Sequence, residues 1–316
     1  MGTLLRAPTR EYRTVLMDSH RWDGFEPRPD DIIVATYPKC GTTWTQRIVD
    51  LLVFQSPHPR PFGQTSPWLD AKIFAPIEID LATLAAQTHR RFIKSHLPYD
   101  SLPIYQGVKM IHVVRDGRDA CMSMHNHMLG FRPEVIAALG AAAAAAGGVA
   151  EPPPATPEDP RDYYLQWIAQ ARHGERPGGD LSFFEFENTY WSRRDEPNLL
   201  FVHYNDLKAD LAGEIGRIAS FLGIDTPRAL LPELALAADF KTMKRQGPEM
   251  LPELSRTFDR GADRFINQGV NGRWRDVLSD ADLEPYHALV AARFSPDQAR
   301  WMEHGRLVAG DPRCLD

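Results

Sequence analysis

Four short runs with the composition of β-strands recur along the chain, and most of them lead into a polar turn and a stretch with helical periodicity. The runs cover residues 32–35, 91–94, 110–114 and 199–204. Runs of this length with β-branched and aromatic side chains are typical of buried strands. After the first run, Trp44, Ile48 and Leu52 fall on one face of a helix that begins near Thr42. Strands that alternate with helices predict an α/β protein with a central, mainly parallel β-sheet flanked by helices.

Two segments depart from this alternation. Residues 137–160 are low in complexity, with an alanine run that favours helix, followed by Gly147-Gly148 and three prolines from Pro152 that end it. We interpret this segment either as an insertion or mobile loop beside the functional site or as a passive surface loop, within a single domain over residues 1–316. The stretch from Asp282 to Arg306 is predicted to be an amphipathic helix that packs on the core.

Composition narrows the range of functions. The chain has 316 residues, 43% of them hydrophobic and 25% charged, which is ordinary for a globular protein. A net charge of −6 argues against general nucleic-acid binding, although a local basic cluster can still hold a small anion. Cys40, Cys121 and Cys314 have neither disulfide-framework nor zinc-site spacing. Because no signal peptide and no apolar run of about 20 residues is visible, we expect a cytoplasmic protein without a transmembrane segment or a metal site.

The turn after the first strand has the composition of an anion-binding loop. Its sequence is YPKCGTTW, residues 37–44. Backbone N–H groups at Gly41 and at the start of the following helix can cradle an anion, and Lys39 adds a positive charge. Thr42 and Thr43 add hydroxyl donors. The loop is not a Walker A motif, because its lysine precedes the glycine. Taken alone, the segment also fits an ordinary strand–turn–helix with a chance lysine.

Two further strand ends carry groups that suit the same kind of ligand. Arg115 follows the third apolar run and Ser123 lies eight residues further on, so that a guanidinium and a hydroxyl can jointly hold a phosphate. Lys94 ends the second run, and His96 follows it. A histidine with a pKa near ~6.5 can take a proton from an alcohol at neutral pH. Because open α/β sheets bind ligands at the carboxyl ends of their strands, we expect Lys39, His96 and Arg115 to line one crevice.

These segments, in this order, resemble the motifs of the cytosolic-type sulfotransferases that use 3′-phosphoadenosine 5′-phosphosulfate (PAPS), including bacterial members. YPKCGTTW resembles the family's 5′-phosphosulfate loop, in which the cysteine is more often serine. KSHLP (94–98) resembles the catalytic segment KTHLP, and VVRDGRDACMS (113–123) resembles the 3′-phosphate segment. HYNDLK (203–208) and FINQGVNGRW (265–274) resemble two less specific segments, the second of them the late loop RKGxxGDWK.

The resemblance implies a P-loop-like nucleotide-binding core and a role for each matched residue. PAPS would donate the sulfuryl group to a hydroxyl of a small molecule or lipid and leave as 3′-phosphoadenosine 5′-phosphate (PAP), without a metal. His96 would be the general base, while Lys39 and Lys94 would stabilise charge on the transferred group and the leaving phosphate. The acceptor and the oligomeric state stay open. By the same resemblance, the nucleotide would be bound by Lys39, Cys40, Gly41, Thr42, Thr43, Trp44, Arg115, Ser123, Tyr204, Phe240, Asn267, Gln268 and Gly269.

Departures from the family pattern leave alternatives open. Asn267 and Gln268 stand where arginine and lysine are usual, so the contact with the 3′-phosphate loses charge, and Asp239 near a phosphate would be unfavourable unless it points away. A nucleotide-binding protein that has lost catalysis is therefore one alternative. A cysteine phosphatase that uses Cys40 is another, but that chemistry needs five residues between the cysteine and its arginine. Six residues separate Cys40 from Arg47, and the extra residue turns the guanidinium about 100° away. A P-loop kinase would need a Gly-Lys-Ser/Thr sequence and a magnesium-binding aspartate.

Overall fold

A four-stranded parallel sheet forms the centre of the computed structural model, which describes residues 2–72, 75–145, 155–172 and 180–316. The strands of the described residues are β1 (Leu4–Arg6), β2 (Ile32–Thr36), β3 (Phe92–Ser95), β4 (Ile104–Tyr105), β5 (Lys109–Val114) and β6 (Leu199–His203). The central sheet has the order β3-β2-β5-β6 with every pairing parallel, and β1 and β4 form a separate antiparallel ribbon. The predicted mainly parallel sheet is confirmed.

Helices cover the central sheet on both faces, and none in the described ranges has both the length and the apolar character needed to cross a bilayer. The α-helices of the described residues are α1 (Thr42–Phe54), α2 (Phe62–Thr65), α3 (Ile77–Ala86), α4 (Gly117–Leu129), α5 (Pro133–Ala145), α6 (Pro160–Ala171), α7 (Phe183–Trp191), α8 (Tyr204–Ala209), α9 (Leu211–Leu222), α10 (Leu231–Ala238), α11 (Phe240–Met250), α12 (Leu254–Thr257), α13 (Ala262–Phe265), α14 (Asp280–Arg293), α15 (Pro296–His304) and α16 (Arg306–Ala309).

The strands are continuous apolar runs because both faces of the sheet are buried. Successive side chains of a strand point to opposite faces. Ile32 and Val34 therefore join one core with α1, α9 and α10, whereas Ile33 and Ala35 join a second core with the aromatic residues of α7. Burial on both sides fixes the register of β2, so the loop that follows it emerges at one defined point of the carboxyl edge.

Two predicted segments differ from the structure or lie partly outside it. The stretch from Asp282 to Arg306 is not one helix, because α14 ends at Arg293 and Ser295 caps α15, which begins with Pro296. Pro296 occupies the first position of α15, where its missing backbone N–H costs no helical hydrogen bond and its fixed φ suits the start of a helix. Within residues 137–160, α5 ends at Ala145 and α6 begins at Pro160, while residues 146–154 lie outside the described residues. Whether this segment is an insertion or a mobile loop stays a prediction.

Candidate active site

His96 lies directly after β3, and its ring is held by the neighbouring strand β2. Its Nδ1 atom lies 2.8 Å from the Thr36 carbonyl oxygen and 3.2 Å from Thr36 Oγ1. Because a carbonyl can only accept a hydrogen bond, Nδ1 carries the proton, and the lone pair of Nε2 is left as a base. Thr36 Oγ1 also lies 2.6 Å from Thr42 Oγ1, so the first residue of α1 belongs to the same buried network. Burial and the charge of Lys94 hold the pKa of His96 well below its usual value of 6.5.

Asp70 and Trp68 support His96 and Lys94 from a neighbouring loop. Asp70 Oδ2 accepts hydrogen bonds from the backbone N–H of His96 at 3.0 Å and from the Trp68 indole N–H at 2.7 Å. The Lys94 ammonium lies 4.0 Å from the centre of the Trp68 ring, which is a cation–π distance. Burial lowers the pKa of Lys94 to about 8, and the Asp70 carboxylate opposes this shift. Neither Asp70 nor Trp68 is part of a periodic pattern or motif, so the sequence does not indicate that they belong to the site.

Lys39 reaches the same centre from the loop between β2 and α1. Its own φ of 70° and the φ of 121° at Gly41 give this turn a left-handed backbone. A Cβ atom at Gly41 would come within 3.1 Å of the Tyr204 ring, so glycine fits this turn for conformation and for space. Burial, with the charges of Lys94 and Arg115, lowers the pKa of Lys39 to about 7. The positive charges of Lys94 and Arg115, which follow or end two other strands, therefore repel the charge of Lys39 at this centre.

His127 is a residue of this centre that the motifs do not indicate. Its Nδ1 atom lies 3.3 Å from Lys39 Nζ, and its ring packs against Phe131, Phe258 and Phe265. Burial holds its pKa well below 6.5, and the charges of Lys39, Lys94 and His96 add to this effect. A neutral imidazole can accept a hydrogen bond from the lysine. The one signal in the sequence is its position four residues after Ser123, which places both residues on one face of α4.

A second group of side chains lies beside this centre and is rich in aromatic rings. The Arg115 guanidinium lies 4.3 Å from the centre of the Tyr204 ring, which in turn packs edge-on against Trp44 at 5.1 Å. The indole N–H of Trp44 donates to the carbonyl of Ala238 at 2.8 Å, just before α11. Arg115 also donates to Asn271 Oδ1 at 2.6 Å. Cation and rings thus form one continuous surface next to the Lys39 loop.

The late loop, residues 265–274, closes this surface on the side of α11. Gly269 has a φ of 64°, and a Cβ atom there would overlap the Phe240 ring, so loop and ring are in contact. The carbonyl of Asn267 accepts a hydrogen bond from Lys244 Nζ at 2.7 Å, while Gln268 is exposed. Asp239 caps α11 by accepting from the backbone N–H of Thr242 at 2.8 Å. Its carboxylate is therefore hydrogen-bonded at the start of α11.

The environment of Cys40 contradicts the cysteine-phosphatase alternative. The thiol is fully buried, and burial raises its pKa well above 9.0. A nucleophilic cysteine needs the opposite shift, because the thiolate is the reactive form. Arg47 lies in the core, where it pairs with Asp50 at 2.6 Å and donates to the carbonyl of His58 at 3.0 Å. It is therefore occupied away from the loop, as the spacing of six residues predicts.

Lys39, His96 and Arg115 follow three parallel strands at the carboxyl edge of one sheet, which is where nucleotide-dependent α/β enzymes bind their ligands. The chain belongs to the sulfotransferase family, whose model for the sulfotransferase domain matches residues 29–298. It is 35% identical over 309 residues to a glycolipid sulfotransferase of Mycobacterium tuberculosis, which covers 93% of this chain and 94% of the relative. It is 25% identical over 298 residues to the sulfotransferase 1 family member D1 of Rattus norvegicus, over 90% of this chain and 88% of that protein.

Solved structures agree with this assignment at the level of the fold. A mouse sulfotransferase complexed with PAP superposes with a TM-score of 0.66 at 22% identity, over 89% of this chain and 90% of that chain. Retinol dehydratase in a complex with retinol and PAP gives a TM-score of 0.63 at 24% identity, over 86% and 84% of the two chains. The predicted fold class and family are confirmed.

Proposed function

We propose that this enzyme transfers a sulfuryl group from PAPS to a hydroxyl group of a small-molecule or lipid acceptor. The observation that carries the proposal is the imidazole of His96, whose Nδ1 is held by Thr36 at 2.8 Å so that Nε2 is left as a base, close enough to Lys94 and Lys39 for their charges to act on it. The name of the mycobacterial relative, glycolipid sulfotransferase, supports an acceptor hydroxyl on a lipid-linked sugar.

The residues of the centre divide the reaction between them. His96 Nε2 takes the proton of the acceptor hydroxyl while the hydroxyl oxygen forms a bond to sulfur. The bond between sulfur and the bridging oxygen of the donor breaks, and its electron pair leaves with the 5′-phosphate of PAP. Lys39, Lys94 and the N–H groups at the start of α1 stabilise the charge that develops on these oxygens. A donor fixed in this way contributes about 3 kcal/mol to the transition state.

The charge distribution of the site fits a doubly phosphorylated nucleotide. Lys39 has a pKa of about 7, in part because Lys94 and Arg115 repel its positive charge. A bound anion relieves such repulsion, so the cluster suits a ligand with several negative charges. Trp44, Tyr204 and Phe240 supply ring surfaces for adenine, and Arg115 and Ser123 suit its 3′-phosphate. Thr42, Thr43 and the backbone of residues 40–41 are proposed to hold the 5′ end.

The proposal is tested by a screen of acceptors. The purified protein is incubated with isotopically labelled PAPS and with glycolipids, sterols and phenols, and products are identified by the added mass and label of one sulfuryl group. We expect transfer to at least one class of hydroxyl, and transfer that survives EDTA. Tight PAP binding without transfer to any acceptor would favour the alternative of a nucleotide-binding protein that has lost catalysis.

We also propose a cellular compartment and a domain organisation for this enzyme. We propose that it acts in the cytoplasm, where thiols stay reduced, and the free thiols of Cys40 and Cys314 support this. We likewise propose that residues 1–316 form a single catalytic domain. Family membership supports an acceptor of low molecular weight or a lipid rather than a nucleic acid.

A further inference from the structure

The late loop lacks the two cations that are usual in the family, yet another guanidinium lies close to Arg115. Arg273, at the end of this loop, donates from Nη2 to the carbonyl oxygen of Met122 at 3.2 Å. Met122 directly precedes Ser123, which is proposed to share the 3′-phosphate with Arg115. Arg115 in turn donates to Asn271, two residues before Arg273. Arg273 therefore contacts α4 directly before Ser123, and Arg115 contacts the late loop that carries Arg273.

The electrostatics show that these two groups act on each other. Burial lowers the pKa of Arg273, and the positive charge of Arg115 lowers it further. Lys208 is subject to the same two effects, and its ammonium donates to the carbonyl of Gly269 at 2.7 Å. Cations that converge in a partly buried place are unfavourable unless an anion joins them. Such convergence is therefore typical of a binding site for phosphate.

The count of charges agrees with this interpretation. Asp119 is the carboxylate among these groups that affects the pKa of both Arg273 and Lys208, and its Oδ1 accepts from the backbone N–H of Gly272 at 2.8 Å. Arg115, Arg273 and Lys208 thus outnumber the carboxylate that acts on them, and this excess of positive charge suits a phosphate monoester, which carries about −1.5 to −2 charges at pH 7.

Compared with the family motif, the positive charge of the late loop lies at a different position in this chain. Aligned with the late loop RKGxxGDWK, this chain has Asn267 and Gln268 in place of arginine and lysine, and Arg273 in place of the aspartate. The first two changes remove two positive charges, and the third replaces a negative charge by a positive one. The total charge of the loop is therefore conserved, and its cation lies on the other side of Gly269.

We propose that Arg273 binds the 3′-phosphate of the nucleotide together with Arg115, in place of the cations that are absent at positions 267 and 268. This inference rests on the proposed use of PAPS. It assigns the 3′-phosphate site of this chain to Arg115 directly after β5, to Ser123 of α4 and to Arg273 at the end of the late loop. A purely structural role, in which Arg273 only ties the loop to Met122, is the alternative.

The experiment compares two ligands that differ in the 3′-phosphate alone. Binding of PAP and of adenosine 5′-phosphate is measured by calorimetry for wild type, Arg273→Gln and Arg273→Ala. Glutamine removes the charge but keeps an amide donor for the Met122 carbonyl. Arg275→Gln is the matched control, since Arg275 is exposed and stacks 4.3 Å from the Trp274 ring on the same short helix. Thermal unfolding of each variant reports on its folding.

We expect both Arg273 variants to bind PAP about tenfold to a hundredfold more weakly, the range for a lost hydrogen bond between charged groups. Their affinity for adenosine 5′-phosphate should change less than about threefold, and Arg275→Gln should bind both ligands like wild type. An equal loss for the two nucleotides, or no loss for PAP, would overturn the assignment of Arg273. Wild type that binds PAP no better than adenosine 5′-phosphate would instead contradict the proposed use of PAPS.

Discussion

His96 Nδ1 lies 2.8 Å from the carbonyl oxygen of Thr36, and this contact decides which nitrogen of the ring can act as a base. Thr36 is the last residue of β2, and His96 follows the last residue of β3, its parallel neighbour. The orientation of the ring is thus a property of the sheet edge. Because burial and Lys94 keep the pKa well below 6.5, the imidazole is neutral and able to accept a proton throughout the physiological range of pH.

Replacement of His96 is expected to separate chemistry from binding. In His96→Ala, the sulfation rate should fall by about 10²–10⁴-fold, which is the contribution of a positioned general base. The dissociation constant for PAP should stay within a few-fold of wild type, because His96 is not among the residues proposed to bind the nucleotide. His287→Ala, at an exposed histidine of α14, is the control and should retain full activity. Near-normal turnover of His96→Ala would remove this residue from the mechanism.

Lys39 makes nucleotide affinity dependent on pH. Its pKa is about 7 in the free protein, so the ammonium loses its proton as the pH rises through 7. A bound phosphosulfate favours the charged form and raises this pKa, so binding above pH 7 must take up a proton. We therefore expect the affinity for PAP to decrease from pH 6 to pH 9. Calorimetry at pH 8 in buffers of different ionisation enthalpy measures the proton uptake.

The matched variant for this prediction is Lys39→Met, which keeps a long side chain but cannot carry a proton. Proton uptake should be smaller in Lys39→Met than in wild type. The uptake that remains should come from Lys94, which has a pKa of about 8. If wild type and Lys39→Met take up the same number of protons, the pH dependence has another origin.

His127 is expected to position Lys39. In His127→Phe, a ring of similar shape can still pack against Phe131 and Phe258, but Lys39 loses the acceptor that lies 3.3 Å from its Nζ atom. We expect kcat to fall about tenfold, the effect of one hydrogen bond to a charged group, with little change in thermal stability. His127→Gln restores an acceptor oxygen and should recover part of the rate. Equal kcat values for wild type and His127→Phe would contradict a positioning role.

Asp70 combines a structural with an electrostatic role, and two substitutions separate them. Asp70→Ala leaves the N–H groups of His96 and Trp68 without an acceptor, which should cost about 1–3 kcal/mol of unfolding free energy in a urea titration. Asp70→Asn keeps one acceptor oxygen and should be more stable than the alanine variant. The asparagine variant lacks the negative charge of Asp70, which favours the protonated form of Lys94, so the pKa of Lys94 should decrease further. Above pH 7, the kcat of Asp70→Asn should therefore be lower than that of wild type. A wild-type urea midpoint for Asp70→Ala would disprove the structural part.

The local pattern of the sequence was enough to predict the elements that carry the site. A run of four apolar residues followed by a glycine turn and a helical stripe predicts β2, the Lys39 loop and α1, because these features depend on neighbours along the chain. The same reasoning places Lys39, His96 and Arg115 at one edge, since parallel strands end together. The family motifs then narrow the chemistry to sulfuryl transfer.

The tertiary structure alone decided which other side chains complete the site. His127 meets Lys39 across 88 residues, and Arg273 meets Met122 across 151 residues. No period of a helix or strand connects positions so far apart, because their contact depends on how α4 and the late loop pack over the sheet. The sequence by itself determined the strands, the anion loop and the family of this protein. The partners of its lysine and arginine side chains were settled only when long-range packing brought distant segments to the same sheet edge.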